Sequence, residues 1–207
     1  MPRTPTPSSR QPVTTDSTPL LSVRNLQTHF PLDEGTVVAV DGASFDVQEG
    51  ETLGIVGESG CGKSVTARSI LGILDRPGRI VDGEILFRRR SDNGVEEVLD
   101  LATLDPKGHE MRSIRGAEIA LIFQEPMSSF SPVHSIGTQL IEAIRLHNDV
   151  SRNEARDIGT EALRSVGIPF PEQRIDAYSF ELSGGIRQRA MIAIALSCNP
   201  SLLIADE

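Results

Sequence analysis

The sequence contains few cysteines, few lysines and no long apolar run. Its two cysteines, Cys61 and Cys198, have no metal-site spacing and cannot build a disulfide framework, which fits a reducing compartment. No stretch approaches eighteen apolar residues, roughly the minimum for a membrane-spanning helix, and the N-terminus has no apolar signal-peptide core. The net charge of −9 argues against broad nucleic-acid binding, which needs a basic surface. These absences predict a cytosolic protein, which a partner could still hold against a membrane.

One of the two lysines lies in a glycine-rich segment, residues 57–64, that matches the phosphate-loop pattern G-x-x-x-x-G-K-[ST]. An apolar run precedes this segment and an amphipathic run follows it, which is the strand, turn and helix context that the pattern requires. Glycines let backbone N–H groups wrap around phosphate oxygens, and the helix N-terminus adds positive potential. Lys63 would reach the outer phosphates and Ser64 would hold Mg²⁺. The compact ammonium group of lysine fits a narrow phosphate-binding loop better than the wider guanidinium group of arginine.

The first half of the chain predicts a flexible tail, an antiparallel strand set and the start of a nucleotide-binding core. Residues 1–19 hold five prolines and eight serines or threonines, and their composition cannot offset the entropy of ordering. The core begins at residue 20. The remaining elements follow from apolar periodicity and turn residues. They are short β runs at 21–23, 36–40 and 44–47, a buried strand at 52–56, a helix at 63–74, a strand at 84–87, a loop insertion at 88–97 in which residues 88–90 form a solvated edge, and a strand at 118–123.

The second half predicts a helical subdomain at about residues 125–181, followed by a helix and a terminal strand. Two helical patterns cover 136–147 and 151–166, and the second starts with a capping box formed by Ser151 and Glu154. A further helix covers 186–197, with Ser183 as its N-cap. The chain then closes with an apolar strand that runs into Asp206 and Glu207.

Several residues could carry chemistry, and each also has a structural explanation. Asp206 and Glu207 have the form of a Walker B strand end, at which one carboxylate contacts Mg²⁺ and the other polarises an attacking water, although carboxylates are common at strand ends. Gln124 could place an amide near Mg²⁺ and the γ-phosphate, or it could cap a turn. Ser183, Gly184 and Gly185 form a second helix N-terminus suited to anions, or an ordinary glycine-rich loop.

Two further residues near these motifs also have open roles. Phe30 could stack on a purine, but a single phenylalanine near β-like runs is more often part of a core. Cys61 is near a positive helix end that could lower the pKa of a thiol, although a neutral spacer explains it better.

Four motifs follow one another in the order residues 57–64, Gln124, 182–189 and 202–207. This order resembles that of the ATP-binding cassette (ABC) ATPases of membrane transporters, and the segment LSGGIRQR is similar to their signature motif. Shorter segments are similar to the oligopeptide and dipeptide permease ATP-binding subunits. These segments are residues 39–45, 54–60, 114–116 and 122–129, and the whole resemblance covers residues 20–207.

The resemblance implies an α/β fold: a RecA-like P-loop NTPase core, an N-terminal antiparallel β subdomain and an α-helical signature subdomain. It implies an ATPase that uses ATP and Mg²⁺ and works at the cytoplasmic face of a membrane. The implied partners are a second cassette, integral membrane permease subunits and, indirectly, a substrate-binding protein, with no nucleic acid.

The resemblance also assigns roles to individual residues. Glu207 and Gln124 are catalytic, and Phe30 stacks on adenine. Ser183, Gly184 and Gly185 act on the nucleotide bound by the partner cassette. The nucleotide-binding loop residues are Gly57, Ser59, Gly60, Cys61, Gly62, Lys63 and Ser64, and the metal residues are Ser64, Gln124 and Asp206.

Members of the resembled family continue past the Walker B glutamate with a D-loop, a further core strand, a switch histidine and a C-terminal extension. The sequence therefore predicts a fold that is incomplete at its C-terminus, with unpaired backbone groups beside the phosphate-loop strand. Peptides are the first expectation for the cargo. Nickel, glutathione or sugars are alternatives, since related systems transport them. Two other functions remain open at this point: a soluble ABC ATPase that acts on ribosomes or DNA, and a catalytically inactive remnant.

Overall fold

A long antiparallel hairpin begins the described part of the chain. The computed structural model describes residues 18–90, 94–124 and 130–206. Strand β1 (Leu21–Leu32) pairs on one side with β2 (Gly35–Val47) and on the other with β3 (Arg79–Arg90), which pairs with β4 (Glu96–Asp100). The resulting antiparallel sheet has the order β2-β1-β3-β4. The predicted strand set is confirmed, but its short runs merge into two continuous strands because register shifts absorb the turn-forming residues.

The main irregularity of this sheet is a bulge at Asn25, whose φ is 48°. The Asn25 backbone N–H donates to Ser44 Oγ over 2.8 Å, which satisfies a donor that the bulge removes from the ladder. The neighbouring strand β3 passes very close at Gly83, where a Cβ atom would lie 2.5 Å from Asn25 O. Glycine is therefore required at position 83, both for space and for its φ of 96°.

A second sheet consists of two parallel strands, and the residues that follow their C-terminal ends belong to the candidate site. Strand β5 (Ile119–Ile122) pairs in parallel with β6 (Leu202–Ala205), and Ile122 is opposite Ala205. The Asp206 backbone N–H extends the pairing by donating to Ile122 O over 3.0 Å. Both strands were predicted from their apolar runs, and the parallel pairing places their C-terminal ends at one edge.

Helix α1 (Lys63–Ile70) follows the phosphate loop but is shorter than predicted. It ends at the cap residue Leu71, because Gly72 takes a φ of 59° and leaves the helical path. The guanidinium of Arg115 donates to Leu71 O over 2.8 Å and to Gly72 O over 3.3 Å, so a cation meets the negative end of the helix. Burial, and to a smaller extent Arg112, lowers the pKa of Arg115 from its usual value. The C-terminus of α1 is thereby anchored to the segment before β5.

The remaining helices are α2 (His109–Ile114), α3 (Ile136–His147), α4 (Arg152–Ser165), α5 (Pro171–Arg174) and α6 (Gly184–Leu196). Helices α3, α4 and α6 share an apolar cluster that includes Leu140, Leu163 and Ala190. The capping box of Ser151 and Glu154 is present as predicted. No helix within the described ranges has the length and apolar character needed to cross a bilayer. The predicted boundaries of the tail and of the helical subdomain remain predictions, since residues 1–17 and 125–129 lie outside the description.

The predicted loop insertion at residues 88–97 is wrong at both of its ends. Strand β3 continues to Arg90 and β4 begins at Glu96, with residues 91–93 outside the described part. The Arg88 and Arg89 side chains are only 16% and 17% exposed. They form ion pairs with Glu49 and Glu96, and with Glu97 and Glu118, at 3.0 to 3.4 Å. Opposite charges on paired strands stabilise a sheet, so residues 88–90 and 96–97 are β structure and residues 88 and 89 are not a solvated edge.

We expect Gly83→Ala to destabilise the protein by about 3 kcal/mol, because the new Cβ combines left-handed strain with a backbone clash. Gly50→Ala is the matched control, since Gly50 has a φ of 74° and nothing within 4 Å of its Cβ position. The control is expected to cost about 1 kcal/mol from strain alone. Chemical denaturation followed by circular dichroism measures both values. Equal losses in the two variants would show that the close approach of β3 to the bulge is unimportant.

Candidate nucleotide-binding site

The phosphate loop turns into α1 through a backbone conformation that only glycine tolerates. Gly62 is the N-cap of α1, with a φ of 91°. A Cβ atom at this position would lie 2.3 Å from Ala39 O and 3.5 Å from Val40 Cγ2, both on β2. The loop therefore packs directly on the β1–β2 hairpin, and its last glycine is required by sterics as well as by φ.

Lys63 lies across the loop. Its Nζ donates to Gly57 O over 2.8 Å and to Glu58 O over 3.0 Å, and it is 3.8 Å from Cys61 Sγ. Residues 57–61 of the loop are exposed, and Cys61 is a free thiol. An ammonium bonded to neutral carbonyl oxygens can exchange them for an anion, because phosphate is a stronger acceptor than a neutral carbonyl. The phosphate-binding role of residues 57–63 stays a prediction.

The structure brings Ser64 and Asp206 into direct contact, although they are far apart in the sequence. Ser64 Oγ donates to Asp206 Oδ1 over 2.8 Å. Mg²⁺ prefers oxygen ligands and commonly takes one or two from the protein, with phosphate oxygens and water supplying the rest. This donor set fits that preference. Within the described ranges, no group of three or more His, Cys, Asp or Glu could hold a metal without such help.

Gln124 lies at the same edge of the parallel sheet as Asp206. It follows the end of β5 by two residues, and Asp206 directly follows β6. Because Ile122 is opposite Ala205, both polar side chains start from neighbouring strand ends. Glu207, the predicted catalytic carboxylate, lies outside the described residues.

The signature residues form a separate anion-compatible helix start. Ser183 is the N-cap of α6, but its side chain makes no cap hydrogen bond, whereas Ser135 and Ser151 cap α3 and α4 through theirs. Nothing lies within 4 Å of the Cβ positions of Gly184 and Gly185. The backbone N–H groups of Gly184 and Gly185 and the hydroxyl of Ser183 are therefore open to a ligand. They belong to the helical cluster and do not line the cavity beside Lys63, so the structure does not unite the two motifs.

Phe30 lies on β1 opposite Val37 and is partly buried. Its ring packs on the turn after α1, where a Cβ at Gly78 would lie 2.5 Å from Phe30 Cε1. The position is compatible with either a core residue or the edge of a base site. Tyr178, near the start of the signature, stacks on Phe180 with ring centroids 5.5 Å apart.

The predicted buried strand at residues 52–56 is wrong. The segment precedes the phosphate loop but has no assigned strand structure, and Leu53, Ile55 and Val56 are 40%, 51% and 93% exposed. An apolar run becomes a buried parallel strand only when neighbours pair with both of its edges. A cavity of about 500 Å³ instead lies between this segment, α1 and β6. Its lining includes Leu53, Ile55, Ala67, Ile70 and residues 201–206.

The sequence did not predict the contacts between the β1–β2 hairpin and the phosphate loop with its helix. The Ala39 carbonyl touches Gly62, and a buried hydroxyl pair, Thr28 and Ser69, joins β1 to α1 over 2.9 Å. A backbone carbonyl has no sequence signal. Thr28 and Ser69 each lie within an otherwise ordinary strand or helix pattern, so only their tertiary contact distinguishes them.

Comparisons with known proteins identify the family that this chain is similar to. A family model described as "ABC transporter" matches residues 40–207. The chain is 51% identical over 189 residues to a probable peptide ABC transporter ATP-binding protein of Sinorhizobium fredii, and 48% identical over 189 residues to the dipeptide transport ATP-binding protein DppD of Bacillus subtilis. Each alignment covers 91% of this chain and 53% of the relative. The chain thus spans about half the length of these curated relatives.

A relative with a different stated cargo and a solved structure extend the comparison. The glutathione import ATP-binding protein GsiA of Shigella flexneri is 47% identical over 193 residues, which cover 93% of this chain and 30% of that protein. The dimeric ATP-binding cassette MJ0796, solved with ADP and Pi, superposes with a TM-score of 0.73 at 24% identity, covering 89% of this chain and 72% of that chain. This structural likeness shows the fold.

We expect the backbone amides of residues 53–56 to exchange with deuterium within seconds, because no ladder protects them. The amides of Ile119–Ile122 in β5 are the internal reference and are expected to exchange far more slowly. Hydrogen exchange with mass spectrometry on the 207-residue chain provides the measurement. Protection of residues 53–56 equal to that of β5 would contradict the unpaired arrangement.

Proposed function

The chain belongs to the ABC transporter family, and we propose that it is the ATP-binding and ATP-hydrolysing part of an importer for peptides or related small solutes. The observation that carries the proposal is the 2.8 Å contact between Ser64 Oγ and Asp206 Oδ1. It joins the two motifs that a nucleotide–magnesium complex needs, in a chain that also aligns with peptide and dipeptide transport proteins over most of its length.

Binding of ATP would begin at the phosphate loop. Backbone N–H groups of the phosphate loop and the N-terminus of α1 would face the β- and γ-phosphates, and Lys63 would exchange its loop carbonyls for phosphate oxygens. Ser64, Asp206 and Gln124 would hold Mg²⁺, which supplies charge neutralisation at the phosphates. Phe30, on the adjacent hairpin, would contact the adenine. Each of these residues acts by positioning or by charge rather than by covalent chemistry.

Hydrolysis transfers the γ-phosphoryl group to water. Glu207 would orient the water and accept its proton while the phosphate–oxygen bond to ADP breaks and leaves ADP and inorganic phosphate. Gln124 would register whether the γ-phosphate is present, since it follows a strand that pairs with the one carrying Asp206. Lys63 and the loop N–H groups would stabilise the charge that develops on the phosphate oxygens.

Assembly completes the site in this proposal. Ser183, Gly184 and Gly185 would bind the γ-phosphate held by a second cassette, which fits their open helix N-terminus and their separation from Lys63. Permease subunits in the membrane would receive the motion, and a substrate-binding protein would deliver the cargo to them. The chain would therefore work at the cytoplasmic face of the membrane.

Peptides are the proposed cargo because the relatives from Sinorhizobium fredii and Bacillus subtilis carry peptide and dipeptide transport in their names. Glutathione, named for the Shigella flexneri relative, is itself a small peptide.

A second candidate is a chain that binds ATP weakly and does not turn it over. The observation that favours it is the unpaired segment at residues 52–56, because a loop on an unsupported strand is poorly positioned. Steady ATP turnover by the 207-residue chain would contradict this second candidate.

We expect Lys63→Ala to weaken ATP binding by about 10- to 100-fold, because it removes a charge-assisted contact to phosphate. The matched control is Lys107→Ala, which removes the only other lysine, an exposed side chain outside the site. Isothermal titration calorimetry with MgATP measures the affinities. Equal affinities for Lys63→Ala and the wild type would overturn the assignment of the loop.

We expect Glu207→Gln to retain ATP binding but to lose turnover by about a thousandfold, because an amide cannot accept the proton of the attacking water. Phosphate release is measured with the second cassette and membrane subunits present, and Glu181→Gln is the control. Equal turnover in the wild type and Glu207→Gln would refute the catalytic role. Loss of binding in Glu207→Gln would assign this carboxylate to nucleotide or metal binding.

A further inference from the structure

The β1–β2 hairpin contacts the phosphate-loop helix and its two flanking turns at three points. Before α1, Gly62 packs on the carbonyl of Ala39. Along α1, Ser69 meets Thr28 across 2.9 Å. After α1, Gly78 packs on the ring of Phe30. The segment that feeds the loop is not paired with a strand, so this lateral contact is a principal support of α1.

The middle contact is a directed pair of buried hydroxyls. Thr28 and Ser69 are 0% and 1% exposed. Ser69 Oγ donates its only hydrogen to Val65 O over 2.7 Å, so the bond between the two hydroxyls requires Thr28 as the donor. Buried hydroxyls without partners are unfavourable, and this pair therefore fixes the rotation of α1 relative to β1.

Thr28 and Phe30 lie two residues apart on β1, and both side chains project towards α1, since Thr28 meets Ser69 and the Phe30 ring packs at Gly78 in the turn after α1. Phe30 is the only aromatic residue proposed for the base, whereas Lys63 and Ser64 at the start of α1 are proposed for the phosphates. The rigid hairpin thus connects the two halves of a nucleotide site, and the hydroxyl pair lies between them.

We propose that Thr28 and Ser69 are positioning residues that couple base binding at the β1–β2 hairpin to phosphate binding at α1. The inference rests on the proposed function and adds an internal mechanism to it. With the pair intact, the base and phosphate subsites lie at a fixed separation, and a bound nucleotide gains binding free energy from both. Without the hydroxyl pair, the phosphate subsite is retained but the base contributes less binding free energy.

The test compares MgATP with magnesium tripolyphosphate, which has the phosphates but no base. Isothermal titration calorimetry is performed on the wild-type chain, Thr28→Val, Ser69→Ala and the double variant. We expect the single variants to bind MgATP about 3- to 10-fold more weakly, the equivalent of one buried hydrogen bond, and to bind tripolyphosphate within about twofold of wild type. The double variant is expected to lose no more than either single variant, because both hydroxyls serve one contact.

Stability measurements separate positioning from simple destabilisation. Thr28→Val leaves Ser69 Oγ without its donor, whereas the double variant removes both groups and is expected to recover thermal stability without recovering the preference for ATP. Thr28→Ser keeps the hydroxyl and is expected to rescue that preference. Ser22→Ala, which removes another buried hydroxyl from β1, is the matched control and is expected to leave the ratio of the two affinities unchanged.

Three outcomes would overturn the inference. The first is an equal loss of affinity for MgATP and tripolyphosphate in the variants, which would make the pair purely structural while leaving the proposed function intact. The second is recovery of ATP preference together with stability in the double variant. The third is a wild-type chain that binds neither ligand, which would remove the proposed function as well.

Discussion

The hydrogen bond from Ser64 to Asp206 is the contact on which the rest of the site depends. It joins residues 142 positions apart, one at the start of α1 and the other at the end of β6. For this bond to form, β6 must pair with β5, α1 must begin at a glycine that fits against β2, and the N-terminal sheet must hold α1 at the right height. The apolar cluster of the N-terminal sheet supplies that alignment, since it includes Ile70 of α1, Ile119 of β5 and Leu202 of β6.

Helix α1 has several lateral contacts, whereas the segment that leads into the phosphate loop is unpaired. The hairpin packs on α1 at Gly62 and Ser69, Arg115 closes the C-terminus of the helix, and Asp206 meets its first turn. The segment at residues 52–56, which leads into the loop, lies open beside a cavity. Lateral contacts of this kind orient a helix, while strand pairing on both edges would also hold the loop at a set depth. The chain therefore contains a candidate anion site whose helix is oriented by several contacts and whose leading segment is unpaired.

Local patterns were reliable where a segment satisfied its own hydrogen bonds or where a motif required one backbone conformation. Helix α3 matches its predicted range, and the capping box of Ser151 and Glu154 forms as expected, since both depend on residues close in sequence. The loop and α1 also start where the glycines and Lys63 place them. Residues 52–56 and 88–97 were misread for a common reason. Strand formation depends on pairing, which is missing for residues 52–56 and present for the second segment, where residues 88–90 pair with residues 96–98.

The sequence by itself determined the class of site, because a phosphate loop, a strand ending in carboxylates and a signature helix each carry their chemistry in consecutive residues. It also determined that the signature belongs to a different part of the chain from the loop. Tertiary structure alone decided which groups meet. The contact of Ser64 with Asp206, the bond between Thr28 and Ser69 and the close approach of Gly62 to Ala39 arise from the packing of distant segments. Periodicity reports only which face of an element is apolar and not which element covers it.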